Sequence, residues 1–181
     1  MRTDRVSLRR WDPDDDADVR IVFDIYRRAA VVEWLSRPPQ PLEAESEARA
    51  RMRRWVSFAE DHPGFGMWAI VPDSVAAPVG TVLLLPLPVD GVLTDDVEIG
   101  WHLHPDHWGN GYATEAARLV LDHAFDDLDL PVVNALAREG NTASSAVMQR
   151  LDMTYRGTNG RWYGASFQWW TAERISPTRS P

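Results

Sequence analysis

A turn with two closely spaced glycines is the part of this chain best suited to chemistry. Residues 106–117 read Asp-His-Trp-Gly-Asn-Gly-Tyr-Ala-Thr-Glu-Ala-Ala and join a strand-like run to a strongly helical run. Gly109 and Gly111 can adopt backbone angles that a Cβ disfavours, and they let a ligand approach the main chain closely. The helix that follows supplies unpaired first-turn N–H groups and the positive end of its dipole. The turn therefore predicts a site for a phosphate or diphosphate group.

Two common phosphate sites do not fit these residues. A P-loop needs a lysine directly after its last glycine, and all 19 basic residues of this chain are arginines. A dinucleotide-binding turn needs a third glycine three positions after the second, where this chain has Thr114, and it follows the first strand of its fold. The prediction that remains is a diphosphate bound by backbone amides.

The strand before this turn carries a second set of polar residues. Alternation along residues 97–104 sends Glu98, Gly100, His102 and His104 to one face and the apolar residues to the other. Carboxylate and imidazole groups can act as general bases in a cleft. The histidines, with His107, also form a pattern that could bind zinc. Because histidine is equally a polar lining residue, and His107 lies inside the phosphate turn, we predict no metal site.

Two segments carry a resemblance to a known family. The stretch from Glu98 to Ala117 resembles the acetyl-coenzyme A site of the GNAT acyltransferases, and it is most similar to the branch with the RimJ/RimL-type enzymes, which acetylate protein N-termini. A second stretch, Arg138-Glu-Gly-Asn-Thr-Ala-Ser-Ser-Ala-Val-Met-Gln-Arg-Leu-Asp-Met153, resembles the family's Asn-x-x-Ser…Val-x-x-Arg/Lys-Leu-Gly-Phe segment. Asp106 replaces the usual first residue of the turn, and Asp152-Met153 replace the usual Gly-Phe.

The resemblance implies acetyl-coenzyme A as co-substrate, an amine as acceptor and no metal. The pantetheine arm would be held by backbone groups at His102, Leu103 and His104. Asn141 would contact the cofactor near its thioester end. The pyrophosphate would lie on the turn, against Gly109, Asn110, Gly111, Tyr112 and Ala113.

The resemblance also directs the choice of catalytic residues. Glu98 is the candidate base, acting directly on the acceptor amine or through a water, because a partly desolvated carboxylate has a raised pKa; His102 is the alternative. Met148 stands where many members of the superfamily have a tyrosine that acts as general acid, so Ser144, next to the cofactor, is the candidate proton donor to the thiolate. Trp34 is the aromatic residue we predict for the acceptor pocket, with core packing as its alternative.

Composition sets outer limits on the function. A chain of 181 residues, 44% of them hydrophobic, is expected to form one domain over residues 1–174, with a flexible tail at 175–181. The absence of cysteine excludes a cysteine nucleophile, so the acyl group would pass directly to the acceptor. A net charge of −8 disfavours nucleic acid and favours a cationic acceptor. We also expect no membrane segment and a cytoplasmic protein, with a homodimer as one option for its assembly.

The pattern of elements predicts a mixed α/β (α+β) fold. Period-2 and apolar runs predict strands at residues 5–11, 65–71, 79–85, 97–104, 131–136 and 161–171, with a hairpin loop at 89–96. Helices are predicted from residue 13 to about 28 and at 42–59, 112–125 and 142–151, with a break at 31–41. Together they predict a GNAT-like, twisted, mostly antiparallel sheet of about six or seven strands with helices on both faces.

These observations favour an N-acetyltransferase that moves acetyl from acetyl-coenzyme A to a primary amine in a ternary complex. By the resemblance, a protein or peptide N-terminal amine is the first choice of acceptor. A small amine or amino-acid derivative is the next. A non-catalytic acyl-coenzyme A sensor is the alternative of a different class, because Met148 and the Asp152-Met153 turn depart from the family pattern.

Overall fold

The computed structural model describes residues 1–35 and 38–174, which form a seven-stranded sheet with helices on both faces. The strands are β1 (Val6–Arg10), β2 (Gly66–Pro72), β3 (Gly80–Val89), β4 (Val92–Leu103), β5 (Val132–Ala137), β6 (Thr154–Asn159) and β7 (Phe167–Glu173). The helices are α1 (Asp16–Tyr26), α2 (Ala29–Val32), α3 (Glu45–Asp61), α4 (Tyr112–Asp122) and α5 (Thr142–Arg150). A 3₁₀ turn at Pro105–His107 precedes α4, and a π-helical turn at His123–Asp127 follows it. The predicted tail at 175–181 lies outside the described residues.

The sheet has the order β1-β2-β3-β4-β5-β7-β6. Every neighbouring pair is antiparallel except β4 and β5, which are parallel. The predicted fold class, a mixed and mostly antiparallel sheet, is therefore confirmed. The single parallel pair in the middle of the sheet divides it into two antiparallel halves, β1–β4 and β5–β7.

Apolar residues fill one core on each face of the sheet. On one face, the predicted apolar stripe of α4 packs on the strands together with α5, and Ala116, Ala117 and Val120 are fully buried. On the other face, α1, α2 and α3 enclose a smaller core around Val22, Ile25 and Met52. The alternation of β4 is also as predicted, since Val97, Ile99 and Leu103 belong to the α4 core. Glu98, Gly100 and His102 must then face α1 and α3.

The structure differs from the sequence-based elements in four places. The short helix α2 extends into the predicted break at 31–41, of which residues 36 and 37 lie outside the described residues. The predicted loop at 89–96 is mostly strand, because Asp90 and Gly91 both have positive φ (50° and 80°) and close a two-residue hairpin between Val89 and Val92. The polar strand β6 was not predicted. The predicted last strand, 161–171, begins only at Phe167, and a loop at 160–166 precedes it.

The part of the chain described here contains no helix that is long and apolar enough to cross a membrane.

Candidate active site

The glycine turn presents free backbone amides. Gly109 and Gly111 have φ of 78° and 83°, and a Cβ on either would project into open space. Gly111 is the N-cap of α4 and makes no side-chain capping bond. Within residues 1–35 and 38–174, the backbone N–H groups of residues 109–113 have no hydrogen-bond acceptor. Open space lined by several unpaired N–H groups at a helix N-terminus fits a diphosphate.

Contacts to the carbonyl groups hold this turn in place. Asn110 donates from Nδ2 to the carbonyls of His107 and Trp108, both at 3.2 Å. Arg5 donates to the carbonyl of Asn110 at 2.9 Å, and it pairs with Glu115 at 3.2 Å. Because the bonding to neighbouring segments uses carbonyls, the amides remain available for an anion. Arg5, 105 residues before Asn110 in the chain, was not predicted to contact the turn.

Next to the turn, β4 and β5 part. Only one pair of residues is in register between them, Glu98 with Asn134. Asn134 is buried, donates from Nδ2 to the carbonyl of Val97 at 2.9 Å, and accepts from Nε1 of Trp169 at 2.8 Å. Beyond Glu98, no described residue of β4 pairs with β5. The strands therefore leave an opening in the sheet that extends toward the glycine turn.

The backbone N–H and C=O groups of β4 point alternately toward β3 and toward this opening. The N–H of His104 donates to the carbonyl of Val79 at 2.9 Å, so His104 bonds toward β3, and by alternation so does His102. The backbone groups of Trp101 and Leu103 must then point toward the opening, where the carbonyl of Leu103 accepts from Nε1 of Trp108 at 2.9 Å. Of the three residues predicted to hold the pantetheine arm, Leu103 thus has its backbone at the opening, and Trp101 joins it as a residue that sequence reasoning missed.

Glu98 lies where the opening begins. Burial raises the pKa of this carboxyl from 4.5 to about 7, although a hydrogen bond from the hydroxyl of Tyr163 acts in the opposite direction. Burial and the nearby Glu98 also raise the pKa of the Tyr163 hydroxyl above its ordinary value. Glu98 is consequently a carboxyl group that exchanges its proton near neutral pH.

His102 is held neutral in the same face of the sheet. Its Nδ1 lies 3.0 Å from the hydroxyl of Tyr26, at the end of α1. Burial, with a smaller contribution from the positive charge of Arg51, lowers the pKa of His102 to about 4. Burial raises the pKa of Tyr26 to about 12, and the guanidinium of Arg51 lies 4.8 Å from the centre of the Tyr26 ring. An imidazole with this pKa is a weak base at neutral pH.

The other histidines of the strand and turn have different neighbours. Nε2 of His104 lies 3.1 Å from a carboxylate oxygen of Asp24, and its Nδ1 accepts from the N–H of Asp106 at 3.2 Å. The rings of His104 and His107 are 6.0 Å apart, edge to face. Among residues 1–35 and 38–174, no group of three or more His, Asp or Glu side chains is placed to hold a metal ion.

The start of α5 brings Asn141 and Ser144 together. Oδ1 of Asn141 caps the helix by accepting from the N–H of Ser144 at 3.1 Å. The hydroxyl of Ser144 has no hydrogen-bond partner among the described residues. The hydroxyl of the next residue, Ser145, is engaged by the carbonyl of Asn141 and by Gln168. Met148 is buried in the core, and its position carries no hydroxyl.

The unusual end of α5 preserves the turn that glycine commonly makes. Asp152 has a positive φ of 58°, its N–H donates to the carbonyl of Gln149, and the N–H of Met153 donates to that of Met148 at 3.1 Å. This is the Schellman arrangement, in which glycine is the usual left-handed residue. Asp152 therefore takes the place of the glycine at some cost in backbone strain.

Trp34 lies beyond α2 and is half-buried. Its carbonyl accepts from Nε of Arg138 at 3.2 Å, and Arg138 follows β5 directly. Trp34 is thus next to the end of β5, at the mouth of the opening.

Sequence reasoning missed most of the side chains that surround Glu98 and His102. Tyr163, Tyr26 and Asn134 are separated from their β4 partners by 65, 76 and 37 residues. None of them stands in a pattern that local spacing could single out. The polar face of β4 was the only sequence feature that indicated these neighbours, because polar residues facing a helical layer require hydrogen-bond partners.

Comparisons with known proteins identify the family of this chain. A family model described as an acetyltransferase (GNAT) domain matches residues 5–154. The protein YkkB of Bacillus subtilis (strain 168) is 31% identical over 117 residues, which cover 63% of this chain and 67% of that protein. The FsC-acetyl coenzyme A-N(2)-transacetylase of Aspergillus fumigatus is 35% identical over 116 residues, 61% of this chain. That match spans only about half, 48%, of the Aspergillus protein.

Solved structures share the whole architecture. An acetyltransferase from Agrobacterium tumefaciens str. C58 superposes with a TM-score of 0.76 at 24% identity, covering 96% of this chain and 94% of that one. RimL, a ribosomal L7/L12 alpha-N-protein acetyltransferase solved in complex with coenzyme A, gives a TM-score of 0.75 at 16% identity, covering 94% and 95%. GNAT acetyltransferases use acetyl-coenzyme A. With a family match over residues 5–154, this chain belongs to the GNAT acetyltransferases and is an acyltransferase.

Proposed function

We propose that this protein transfers acetyl from acetyl-coenzyme A to the N-terminal α-amine of a protein or peptide, by direct attack in a ternary complex. We further propose that it is an enzyme of the RimJ/RimL type. The observation that carries the proposal is Glu98, a carboxyl group with a pKa of about 7 at the point where β4 and β5 part. A base with this pKa can take a proton from an amine at neutral pH.

The residues of the chain divide the work of binding. The amides of residues 109–113 hold the pyrophosphate, and the backbone of Trp101 with the N–H of Leu103 holds the pantetheine arm along the opening, since the carbonyl of Leu103 is bonded to Trp108. Asn141 lies near the thioester, where its side chain also fixes the first turn of α5. When bound, acetyl-coenzyme A supplies the acetyl group as a thioester. Trp34 borders the entry of the acceptor.

Two proton transfers accompany the reaction. The amine nitrogen forms a bond to the acetyl carbon as the carbon–sulfur bond breaks. Glu98 takes the proton that the nitrogen loses, directly or through a water, and releases it to solvent. Ser144 donates a proton from its free hydroxyl to the leaving sulfur and recovers one from solvent, which keeps the count of protons balanced.

Glu98 is a better base than His102 on physical grounds. A general base works best when its pKa is near the working pH. The pKa of Glu98 is about 7, whereas that of His102 is about 4. His102 instead orients the hydroxyl of Tyr26 in the wall of the cleft.

Two other functions have some support. A small amine or amino-acid derivative as acceptor is suggested by the similarity to the Aspergillus transacetylase. A non-catalytic acyl-coenzyme A sensor is suggested by Met148, which offers no proton donor at the position of the superfamily's tyrosine.

One experiment separates these functions. Calorimetric titration of acetyl-coenzyme A is followed by measurement of thiol release with a peptide, the same peptide with a blocked N-terminus, and ethylamine. We expect thiol release with the peptide that has a free N-terminus and none with the blocked peptide or ethylamine. Faster thiol release with ethylamine than with the peptide would indicate that the acceptor is a small amine. Binding without release would favour the sensor, and no binding would overturn all three.

A further inference from the structure

An apolar pocket lies beside Glu98 and has no role in donor binding. It has a volume of about 280 Å³ and lies between α3 and the hairpin formed by β3 and β4. Its lining comes from four elements and one loop, and its main side chains are Trp55, Phe58, Met67, Leu85, Leu93 and Tyr163. Apolar cavities of about 150 Å³ already admit benzene. The pocket is therefore large enough for one aromatic or branched side chain.

Two contacts connect this pocket to the candidate base. Leu85 lies directly opposite Glu98 in the antiparallel β3–β4 register. Side chains of such opposed residues emerge on the same face of a sheet, within contact distance. Tyr163 lines the pocket and donates its hydroxyl to Glu98. A group bound in the pocket would thus lie one side chain away from the carboxyl that deprotonates the amine.

The charge around the pocket is positive although the protein as a whole is acidic. Arg54 stands in the lining, and Arg51 lies one turn earlier on the same helix, above Tyr26. Among residues 1–35 and 38–174, no carboxylate lies within ion-pair distance of either guanidinium. Such a site disfavours a second positive charge on the acceptor. It also favours the neutral form of the amine, which is the nucleophile.

We propose that this pocket receives the side chain of the first residue of a peptide acceptor and selects a large apolar one, such as phenylalanine or leucine. This inference rests on the proposed function and narrows its acceptor. The α-amine then lies at Glu98, the side chain lies against Trp55 and Phe58, and the peptide leaves past Arg54. Peptides that begin with lysine or arginine are rejected by Arg54 and Arg51.

The test measures binding separately from turnover. Tripeptide amides that differ only in the first residue, Phe-Ala-Ala, Gly-Ala-Ala and Lys-Ala-Ala, are titrated by calorimetry into the protein saturated with coenzyme A. We expect the phenylalanine peptide to bind about 10- to 100-fold more tightly than the glycine peptide, because its side chain leaves water. Thiol release from acetyl-coenzyme A with the same peptides should follow the same order.

Two variants and a matched control test whether the pocket causes the preference for the first residue of the peptide. Met67→Trp fills the pocket and should reduce the Phe/Gly ratio of affinities to about 1. Val92→Trp adds the same bulk to the hairpin at a residue outside the lining that is 70% exposed, and it should keep the ratio. Arg54→Glu should raise the affinity for the lysine peptide several-fold relative to the phenylalanine peptide. Thermal melting and acetyl-coenzyme A titration verify that each variant is folded.

The outcomes distinguish this inference from the function on which it rests. Equal affinity for the phenylalanine and glycine peptides, or a Phe/Gly ratio that Met67→Trp leaves unchanged, overturns the pocket assignment even if acetyl transfer occurs. A preserved preference in binding with no thiol release overturns the proposed function and leaves the pocket assignment standing. The assignment is also overturned if Val92→Trp lowers the Phe/Gly ratio of affinities as much as Met67→Trp does.

Discussion

The two sides of the proposed active-site cleft, one for the acetyl donor and one for the acceptor, are built in different ways. The donor side consists of backbone amides from one contiguous segment, residues 109–113, held by contacts to its carbonyls. The acceptor side consists of side chains from α1, α3, β3, β4 and the loop before β7, joined by contacts such as that of Tyr163 with Glu98. A backbone site needs particular φ angles, whereas a side-chain site needs particular neighbours.

This difference determines what mutation can do on each side. On the donor side, most side chains can change as long as the glycines keep their conformation. On the acceptor side, single side-chain substitutions change the pKa, the charge or the shape of the site directly. Substitutions on the two sides should therefore have separable effects on cofactor affinity and on turnover.

The largest effect is expected on the acceptor side, from Glu98→Gln. The variant keeps the shape and the hydrogen bond from Tyr163 but cannot take a proton, so kcat/KM at pH 8 should fall by about 10²- to 10⁴-fold. Affinity for acetyl-coenzyme A should change little. Asp96→Asn is the matched control, since Asp96 is two residues away on β4 and pairs with Arg161 and Trp162 instead. An equal loss in both variants would remove Glu98 from the role of base.

On the donor side, Gly111→Val should weaken acetyl-coenzyme A binding by about 10- to 100-fold, because valine resists a φ of 83° and its side chain would project toward the diphosphate. Gly91→Val is the matched control, with a similar φ of 80° and equally open surroundings at the far hairpin. Calorimetry compares the two. Similarly weakened acetyl-coenzyme A binding in both variants would mean that backbone strain in general, and not a change in the glycine turn, is responsible.

The pH dependence of the unmodified enzyme should show the titration of Glu98. Since a base must be deprotonated, kcat at saturating peptide should rise with pH to a plateau with a midpoint near 7. At pH 6 it should be about tenfold below the plateau. His102→Asn should leave the midpoint in place. A midpoint near 4 in the unmodified enzyme would point to His102 instead.

Ser144→Ala should lower kcat by only about three- to tenfold. A thiol has an ordinary pKa of about 8.5, so the leaving sulfur needs little help from an acid at neutral pH. Ser145→Ala is the control, because the hydroxyl of Ser145 is already bonded to Asn141 and Gln168. Unchanged single-turnover rates in Ser144→Ala would exclude the donor role.

The last effect concerns stability instead of catalysis. The folded pKa of Glu98, about 7, exceeds its ordinary value of 4.5, so the folded state binds more protons between these values and loses stability as the pH rises through them. Glu98→Gln removes this dependence. Its Tm should exceed that of the unmodified protein by about 7–14 °C at pH 8, because a pKa raised from 4.5 to about 7 corresponds to about 3.4 kcal/mol, and the two Tm values should match near pH 4. A Tm difference that does not vary with pH would contradict a buried, titrating carboxyl.

The same contrast explains which features could be predicted from the sequence. Gly109, Gly111 and the alternation of β4 are local patterns, and the sequence indicated both the turn and the polar face of the strand. Tyr163 and Arg51 reach the site only through the fold, and β6 was missed because its residues are mostly polar and exposed. Asp152 adopts a left-handed conformation that its residue type permits but does not signal.

The parting of β4 and β5 has a consequence for the lifetime of the protein in a cell. The halves β1–β4 and β5–β7 share one in-register pair, so few backbone hydrogen bonds join the centre of the sheet. A ligand that spans the join adds RT ln(1 + [L]/Kd) to the folding free energy, about 2.7 kcal/mol at 100 times its Kd. Unfolded chains are removed by proteases, so such a ligand lengthens the half-life of the enzyme. The amount of enzyme present would then rise and fall with the supply of its own acetyl donor.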